Sequence, residues 1–328
     1  MKLALFFALI VAAASAFALD KRAQAAQDKY ALDRGKGSLG SGWAAFVKAA
    51  HRVDDDTPVA LKIPKRETGW WDDNEFHLLK EFKESPNVLN LLDSYEVEEW
   101  DKGHFNRKRI LVLPRAHESL EDFIGQRRAI PMKTFVKIML DTAKGIKQMH
   151  SKNICHRDLR PGNVLIMRDP TENVDSSEPL ATIADLGIAE GAPGSQAIEG
   201  DVSYMSPEYA KLGVQGFTSS QIDCLDGDVW SLGTLFYQLI SRKLPFSFSG
   251  SLAKQENDVH TEVMMEISSD KPAPPIRKPV FGADRYMQGD IPNDLKELIA
   301  KMLEKDISKR MKKVGDVVGA LDAIYSEL

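Results

Sequence analysis

Cysteine is scarce in this 328-residue chain, which contains only Cys155 and Cys224. There is no CxxC motif and no Cys/His cluster with metal-ligand spacing, which excludes a cysteine-based zinc site. Cys155 lies in an apolar run directly before His156, where a strand leading into a loop would bury it. We therefore expect two buried thiols, with a disulfide as the alternative.

A concentrated positive charge is also missing. The chain has 43 Lys and Arg against 48 Asp and Glu, a net charge of −5, and the two signs are mixed throughout. Nucleic-acid binding needs a basic patch or stripe, so we expect no nucleic-acid partner. With 43% hydrophobic and 28% charged residues, the composition is that of a soluble globular protein.

Long apolar runs are absent except at the N-terminus, which begins MKLALFFALIVAAASAFALD. Its basic start, its apolar run and the small residues ending at Ala16 or Ala18 are typical of a secretory signal peptide over residues 1–18. A polar leader or linker follows over residues 19–36.

This N-terminus predicts the secretory pathway or secretion, and three alternatives stay open. The apolar run is close to the roughly 17 residues that span a bilayer, so an uncleaved segment would anchor the chain, and only then do we expect membrane contact. The stretch ASAFA resembles the junction of bipartite leaders that target complex plastids. A buried N-terminal helix is the third alternative.

The remaining sequence changes its pattern near Pro114. Before it, the strand-like pieces LGSGWAAFVKAA, PVALKIPK and RKRILVLP surround one helical pattern, FHLLKEF; after it, amphipathic helices dominate. This predicts an α+β fold in two lobes, a small β-rich N-lobe over about 37–115 and a larger helical C-lobe over about 116–328.

A glycine-rich stretch opens the first lobe and fits two registers. GKGSLG matches GxGxxG, whereas a register that begins at Gly40 and Gly42 puts Ala45 in the third glycine position. The second is favoured because Val47 falls where an apolar side chain would cover a nucleotide base, and because Lys62 follows in a strand. Small residues let backbone N–H groups approach phosphates. A flexible linker is the alternative.

Six short motifs follow in order: VALK, HRDLRPGN, DLG, SPE, DVWSLG and DISKR. Together they resemble the motifs of the eukaryotic-type protein kinase family, and the resemblance extends from about Leu39 to the C-terminus. It implies the bilobal kinase fold for residues 37–328, with ATP and Mg²⁺ as cofactors and a protein as substrate.

The resemblance also implies a role for residues of the N-lobe. Lys62 would hold the α- and β-phosphates of ATP, with Glu75 as its partner and Glu81 as a weaker alternative. The residues that would contact the nucleotide are Gly40, Gly42, Val47, Ala60, Lys62 and Glu75.

The loop HRDLRPGN would supply the reacting groups. Asp158 would orient the substrate hydroxyl and accept its proton, and Arg160 would reach toward the γ-phosphate as the family's lysine does. Asn163 and Asp185 would hold Mg²⁺, since amide and carboxylate oxygens suit this hard cation. His156 would pack the loop against the DLG segment.

The resemblance implies scaffold roles for three further residues. Glu208 and Arg310 resemble a buried ion pair that ties the activation segment to the helical lobe. Asp228 would accept backbone N–H bonds from the catalytic loop.

One departure from the family pattern concerns two charged residues. Arg160 replaces the lysine that is usual in serine/threonine kinases, and Asp201 stands about where the family often has threonine. We predict that Asp201 and Arg160 pair, a charge-assisted substitute for the lysine–threonine bond. A solvated Asp201 is the alternative.

A second feature concerns activation. Arg157 resembles the arginine that binds a phosphate on the activation loop, and Ser195 is the only hydroxyl residue in that loop, which runs from Ile188 to Gly200. Either a phosphate on Ser195 or a constitutive carboxylate of Glu190 or Glu199 would satisfy Arg157.

These residues indicate an active protein kinase, because no expected ligand is replaced. Serine/threonine specificity is favoured by Pro161, Gly162 and SYMSPE, although some tyrosine kinases carry arginine at the position of Arg160. Two alternatives stay open: a pseudokinase that acts as a binding or scaffold module, and a kinase-like enzyme that phosphorylates a sugar or other small molecule in the secretory pathway.

Overall fold

A computed structural model describes residues 28–33, 38–66, 70–101, 104–126, 128–192, 199–215, 222–247, 256–279 and 286–328. The predicted signal peptide lies outside this part of the chain, as does most of the predicted linker. The described residues up to Lys83, with Asn90–Arg115, form one compact unit, and Glu84–Leu89 with Ala116–Leu328 form a second. None of the helices in the described residues is both long and apolar enough to cross a bilayer.

In its described residues, the first unit is an antiparallel sheet with one helix. Its strands are β1 (Tyr30–Leu32), β2 (Ser38–Ser41), β3 (Ala45–Arg52), β4 (Pro58–Pro64), β5 (Asp93–Asp101) and β6 (His104–Pro114). They lie in the order β1-β3-β4-β6-β5, and β2 pairs with β3. The helix α1 (Trp70–Glu81) is inserted between β4 and β5.

One face of this sheet carries an apolar core. The buried members are Ala50, Val59, Leu61, Ile110 and Val112. They come from β3, β4 and β6 at alternate positions, because successive side chains of a strand point to opposite faces. The opposite face of the same strands, which carries Val47, Ala60 and Lys62, is therefore not part of this core.

The second unit is mostly helical among the residues described. Its helices are α2 (Leu120–Gly125), α3 (Met132–Ser151), α4 (Pro207–Gln215), α5 (Cys224–Ser241), α6 (Glu256–Ser268), α7 (Asn293–Met302) and α8 (Val314–Ser326). Its short strands are β7 (Glu118–Ser119), β8 (Ile130–Pro131), β9 (Ile154–Cys155), β10 (Val164–Ile166), β11 (Ala181–Ile183), β12 (Glu190–Gly191) and β13 (Met287–Gln288). The pairings are β11-β10-β7, β12-β9 and β13-β8.

The long helix α3 packs closely on the segment Glu84–Leu89, which precedes it in the chain. A Cβ built on Gly145 would lie 2.5 Å from the carbonyl oxygen of Asn87 and 2.7 Å from Ile183 Cγ1. The backbone of Asn87 and Leu89 also exchanges hydrogen bonds with Ile183 on β11. Glycine is required at position 145 because any side chain would push these backbones apart.

The expectation of two free thiols is wrong. Cys155 and Cys224 form a disulfide with a Cα–Cα distance of 5.9 Å. Cys155 ends β9 and Cys224 begins α5, so the fold brings together two residues that are 69 positions apart. The apolar surroundings that suggested buried thiols are real, since both residues are at least 98% buried, and this burial is equally compatible with a disulfide.

Candidate active site

Lys62 on β4 is held by a carboxylate from α1. Its Nζ donates to both oxygens of Glu75, at 2.8 Å to Oε1 and 2.6 Å to Oε2. Both side chains are largely shielded from water, which keeps their attraction strong and fixes the ammonium group. The predicted Lys62–Glu75 pair is therefore present, and Glu81 lies exposed at the end of α1.

The strand register places the predicted nucleotide residues on one face. Val47 lies opposite Lys62, and Ala49 lies opposite Ala60. Leu111 on β6 flanks Lys62 on the other side. Directly opposed residues share a face, so these side chains lie on the side of the sheet away from the apolar core.

The glycine-rich stretch forms the β2–β3 hairpin. Gly40 pairs with Val47, and the Gly42 N–H donates to the Ala45 carbonyl at 3.0 Å to close the turn. A Cβ built on Gly40 or Gly42 meets nothing within 4 Å, so packing does not require these glycines, and what they provide is an open backbone. The alternative register, GKGSLG, begins outside the described residues.

Asp228 on α5 fixes the start of the catalytic loop. Its Oδ2 accepts the His156 N–H at 2.8 Å and its Oδ1 accepts the Arg157 N–H at 3.0 Å, while His150 Nε2 lies 2.9 Å from Oδ2. Burial by itself would raise the pKa of the Asp228 carboxyl, but the hydrogen bond and charge of His150, with the other donors, hold that pKa below its ordinary value. The predicted scaffold role of Asp228 is thus confirmed.

His156 joins the catalytic loop to the segment that carries Asp185. It is fully buried, its Nδ1 accepts the Asp158 N–H at 3.2 Å, and its Nε2 lies 3.0 Å from the carbonyl oxygen of Ala184. Because Nδ1 is an acceptor, Nε2 carries the proton and donates to that carbonyl. The structural role predicted for His156 is confirmed.

The Asp158 carboxylate is held from several directions. Asn163 Nδ2 donates to Oδ2 at 2.8 Å, and the backbone N–H of Asp201 donates to Oδ1 at 3.1 Å. Arg160 Nε lies 3.5 Å from Oδ2. These contacts fix the directions of the two carboxylate oxygens. A group that orients a substrate hydroxyl must be fixed in this way.

The predicted pairing of Asp201 with Arg160 is wrong. Among the described residues, the carboxylate that forms an ion pair with Arg160 is Asp158. Asp201 Oδ1 instead accepts the Ser203 N–H at 2.9 Å and caps a 3-10 turn over Val202–Tyr204. A short aspartate side chain satisfies a backbone donor two residues away more easily than it reaches a separate loop.

Asn163 and Asp185 flank one antiparallel hairpin. Val164 on β10 pairs with Ile183 on β11, so Asn163 directly precedes the hairpin and Asp185 lies two residues beyond it. The Ala184 N–H donates to the Asn163 carbonyl at 2.9 Å and extends the pairing to this end. The register therefore brings together the two residues that were predicted to hold Mg²⁺.

The donor atoms at this end of the hairpin fit Mg²⁺. Asn163 uses its amide nitrogen on the Asp158 carboxylate and carbonyl, which leaves Oδ1 as the atom for a cation. In the part of the chain that the structure describes, no cluster of three or more His, Cys, Asp or Glu side chains is placed to hold a metal. Two oxygen ligands from the protein suit Mg²⁺, which takes its other ligands from phosphates and water.

Arg157 binds carboxylates of the activation segment. Its Nη1 lies 2.6 Å from Glu190 Oε2 and 3.4 Å from Glu199 Oε2, and only 7% of its side chain is exposed. These are the two carboxylates predicted as a constitutive substitute for a phosphate. Ser195, the predicted phosphorylation site, lies outside the described residues.

Gly200 allows the activation segment to approach the catalytic loop. Its φ is +87°, and a built Cβ would lie 2.7 Å from the Arg157 carbonyl oxygen and 3.1 Å from Asp158 Oδ1. Only glycine fits both the left-handed backbone and this contact. Sequence reasoning missed Gly200, although a glycine directly before the capping Asp201 was an available signal.

Glu208 and Arg310 form the predicted buried ion pair. Arg310 Nη1 donates to Oε1 at 2.7 Å and Nη2 donates to Oε2 at 2.9 Å, a bidentate arrangement. The arginine side chain is completely buried and also stacks on Trp230. This pair fixes α4, which follows the activation segment, to the turn before α8.

Comparisons with known proteins point to one family. A family model described as the protein kinase domain matches residues 34–318. A protein of Clostridium perfringens named as a probable serine/threonine-protein kinase is 26% identical over 88% of this chain and 38% of its own length. A DNA damage response protein kinase of Saccharomyces cerevisiae is 30% identical over 67% of this chain and 44% of its own length.

Human ribosomal protein S6 kinase alpha-4 is 27% identical over 88% of this chain and 34% of its own length. This chain therefore spans between a third and a half of the length of these relatives. The family model nevertheless covers most of the chain, and the β-rich first unit and the helical second unit have the α+β architecture that the motifs predicted. The chain belongs to the protein kinase family.

Proposed function

We propose that the chain is an active protein kinase that uses ATP and Mg²⁺ to phosphorylate serine or threonine hydroxyls of proteins. Phosphoryl transfer needs little covalent chemistry from the enzyme, and it depends on positioning and on neutralising negative charge. The residues with these tasks are all present in this sequence. Their presence favours an active kinase over a pseudokinase.

The observation that carries the proposal is the position of Asn163. Its side chain holds the Asp158 carboxylate at 2.8 Å, and its backbone carbonyl accepts the N–H of Ala184, the neighbour of Asp185. One residue thus connects the group that would receive the hydroxyl proton with the group that would bind the metal. Such a link is expected where proton transfer and metal binding serve one reaction.

The remaining roles are assigned separately. The Lys62 ammonium, fixed by Glu75, would bind the α- and β-phosphates, and the open backbone at Gly40 and Gly42 would lie along the phosphates. Bound Mg²⁺ would neutralise charge on the β- and γ-phosphates. Arg160, beside Asp158, would supply a further positive charge toward the transferred group.

Serine/threonine specificity is supported by the names of relatives. The Clostridium perfringens protein and one from Corynebacterium efficiens are both named as serine/threonine-protein kinases. Pro161 and Gly162, in the 3-10 turn directly after Arg160, belong to the sequence pattern that favours this specificity. Arg160 does not distinguish the two specificities, because some tyrosine kinases also carry arginine at this position.

The test is transfer of labelled γ-phosphate from ATP to casein by the full chain, with and without Mg²⁺, compared with Asp158→Asn. We expect transfer that requires Mg²⁺ and falls at least about 100-fold in the variant. Equal signals from both proteins would overturn the proposal. Phosphoamino-acid analysis of the product separates serine and threonine from tyrosine.

The same preparation distinguishes the two alternatives. ATP binding with no transfer to any acceptor would indicate a binding or scaffold module. Transfer to free sugars but not to casein would indicate a small-molecule kinase.

We further propose that residues 1–18 direct the chain into the secretory pathway, with a plastid or a membrane-anchored location as the alternatives. A fluorescent fusion to residues 1–40 tests the address, and the same fusion lacking residues 1–18 is its control. Release of the fusion into the medium supports secretion, whereas a plastid or membrane signal supports one of the alternatives.

A further inference from the structure

The disulfide joins the end of β9, directly before the catalytic loop, to the start of α5. Cys155 is the residue directly before His156, Arg157 and Asp158, and Cys224 is the first residue of α5. Asp223, the N-cap of α5, accepts the Leu225 N–H at 2.9 Å, so Cys224 sits on a well-defined helix start. The bond therefore connects the catalytic loop directly to a rigid, buried helix.

The same helix holds the same loop by a second attachment. Asp228, one turn after Cys224, accepts the N–H groups of His156 and Arg157. Cys155 also pairs with Glu190, whose carboxylate binds Arg157. The covalent bond at Cys155 therefore restricts the backbone directly before His156 and Arg157, whose N–H groups bind Asp228.

We infer that the Cys155–Cys224 disulfide is a covalent clamp that positions the catalytic loop and makes the order of that loop depend on the thiol–disulfide state of the chain. The clamp closes a loop of the chain that contains Asp158, Asn163 and Asp185, because the two cysteines are 69 residues apart. Closing a long loop restricts the unfolded chain and so favours the folded state.

The chemistry is reversible thiol–disulfide exchange. A dithiol reductant attacks one sulfur as a thiolate, forms a mixed disulfide and then releases the second cysteine as it closes its own disulfide. Cys155 and Cys224 gain two electrons and two protons, and the reductant loses them. Cys155 is 0% exposed and Cys224 is 2% exposed, so exchange requires local opening and is expected to be slow in the folded protein.

The clamp agrees with the compartment that the N-terminus predicts. Disulfides form and persist along the secretory route and are rare where thiols are kept reduced. A chain that reached a reducing compartment would carry two thiols at these positions and a less ordered catalytic loop. Oxidation of Cys155 and Cys224 would then be required for full activity.

The first experiment needs no enzyme activity. The full chain, produced through an oxidising secretory route, is denatured without reductant and alkylated, and the labelled cysteines are identified by mass spectrometry. We expect neither cysteine to be labelled before reduction and both to be labelled after it. Two labelled thiols in the denatured chain before reduction would overturn the inference.

Stability and local order are measured next on the oxidised and reduced chains. We expect reduction to lower Tm by about 5–15 °C, as the loss of a long-loop crosslink predicts for a unit of this size. We also expect faster amide hydrogen exchange at His156 and Arg157, whose N–H groups bind Asp228. Unchanged exchange at these two amides would contradict a positioning role even if Tm fell.

Matched variants separate the crosslink from packing. Cys155→Ala, Cys224→Ala and the double variant should show the same loss of Tm and the same faster exchange, and a reductant should have no further effect on any of them. If the two cysteines acted only as separate core residues, the single effects would add in the double variant. That additivity would overturn the clamp.

The effect on catalysis rests on the proposed kinase function. If casein phosphorylation is observed, the reduced chain should show a lower kcat with KM for ATP changed less than twofold, because the N-lobe residues Lys62 and Glu75 are untouched. If the oxidised chain transfers no phosphate, the proposed function fails, and the thiol, Tm and exchange measurements still decide the clamp.

Discussion

Arg157 and Glu190 form an ion pair, Nη1 to Oε2 at 2.6 Å, that joins the catalytic loop to the strand that begins the activation segment. Glu199 lies on the same guanidinium nitrogen at 3.4 Å. The arginine has a φ of +71° and little exposure, so it is held where negative charge from the activation segment reaches it. In this chain two carboxylates stand where a phosphate would supply that charge.

Activity should therefore not require phosphorylation of Ser195. We expect phosphatase treatment and Ser195→Ala each to leave casein phosphorylation within twofold of the wild type. Glu190→Gln should lower kcat by about 3- to 10-fold, because it leaves a mostly buried arginine partly uncompensated. Glu178→Gln, at an exposed position in the β10–β11 connection, is the matched control. A large loss on dephosphorylation would contradict this prediction.

The Lys62–Glu75 pair predicts a graded response in nucleotide use. Lys62→Met should lower kcat/KM for ATP by at least about 100-fold, since it removes a charge that neutralises phosphate. Glu75→Gln should lower it by about 10-fold, because the ammonium loses its fixed position. Glu81→Gln, on the same helix, should change it less than twofold. Steady-state kinetics at varied ATP concentration measure all three, and a larger effect at Glu81 than at Glu75 would reverse the assignment.

Arg160 and Asp201 should act independently, because the structure gives them different partners. Arg160→Ala should lower kcat, since it removes the positive charge beside Asp158. Asp201→Thr should have a small effect, as threonine also caps a helical turn and the backbone N–H to Asp158 is retained. In the double variant we expect the two effects to multiply within about twofold. A double variant far more active than that product would restore direct pairing.

The Glu208–Arg310 pair should matter for stability rather than for chemistry. Arg310→Ala removes the completely buried guanidinium and leaves the half-buried Glu208 carboxylate without its partner, which should cost about 3–5 kcal/mol in the free energy of unfolding. Glu208→Gln should cost less, about 1–3 kcal/mol, because the amide still accepts a hydrogen bond. Lys309→Ala, at the exposed neighbouring position, should cost less than about 0.5 kcal/mol. Urea unfolding measures all three, and equal costs at 309 and 310 would contradict the role of the pair.

Acid should weaken the attachment of the catalytic loop through Asp228. The pKa of its carboxyl is lower in the folded state than the ordinary value of about 3.9, so its contribution to stability is complete above that value. The contribution is lost as the pH falls through the lowered folded pKa, when the unfolded chain already binds the proton.

Unfolding free energies from pH 7 to pH 2.5 test this sign. Asp228→Asn should be less stable than the wild type at pH 7 and should lose less further stability below pH 4. Asp54→Asn, at an exposed hairpin position, should follow the wild-type pH profile. An Asp228→Asn profile parallel to that of the wild type would contradict the prediction.

The sequence predicted contacts that follow from a local period or a family motif. Glu75 was found because it lies one helical turn before Leu79 in the helical pattern of the first lobe, and Asp228, Glu208 and Arg310 were found from motifs. Each of these residues has its partners fixed by the motif or the helix that carries it, so the alternatives are few.

Prediction from the sequence was wrong where two partners compete for one side chain, and where only the tertiary structure brings two residues together. Asp201 had a remote cation and a local backbone donor available, and the local bond costs less conformational entropy. Cys155 and Cys224 are 69 residues apart, and only the approach of β9 to α5 brings them within bonding distance. Two cysteines in a chain give no signal of such an approach.

The hydrogen bonds between Asn87, Leu89 and Ile183 limit how the protein can be divided genetically. Residues 84–89 lie in the sequence among those of the first unit, yet they belong to the second, beside Gly145 of α3. A gene fragment that starts at residue 116 would omit the backbone that satisfies Ile183, two positions before Asp185. Expression of the helical unit by itself would need residues 84–89 returned, for example by a circularly permuted gene that carries them after α8.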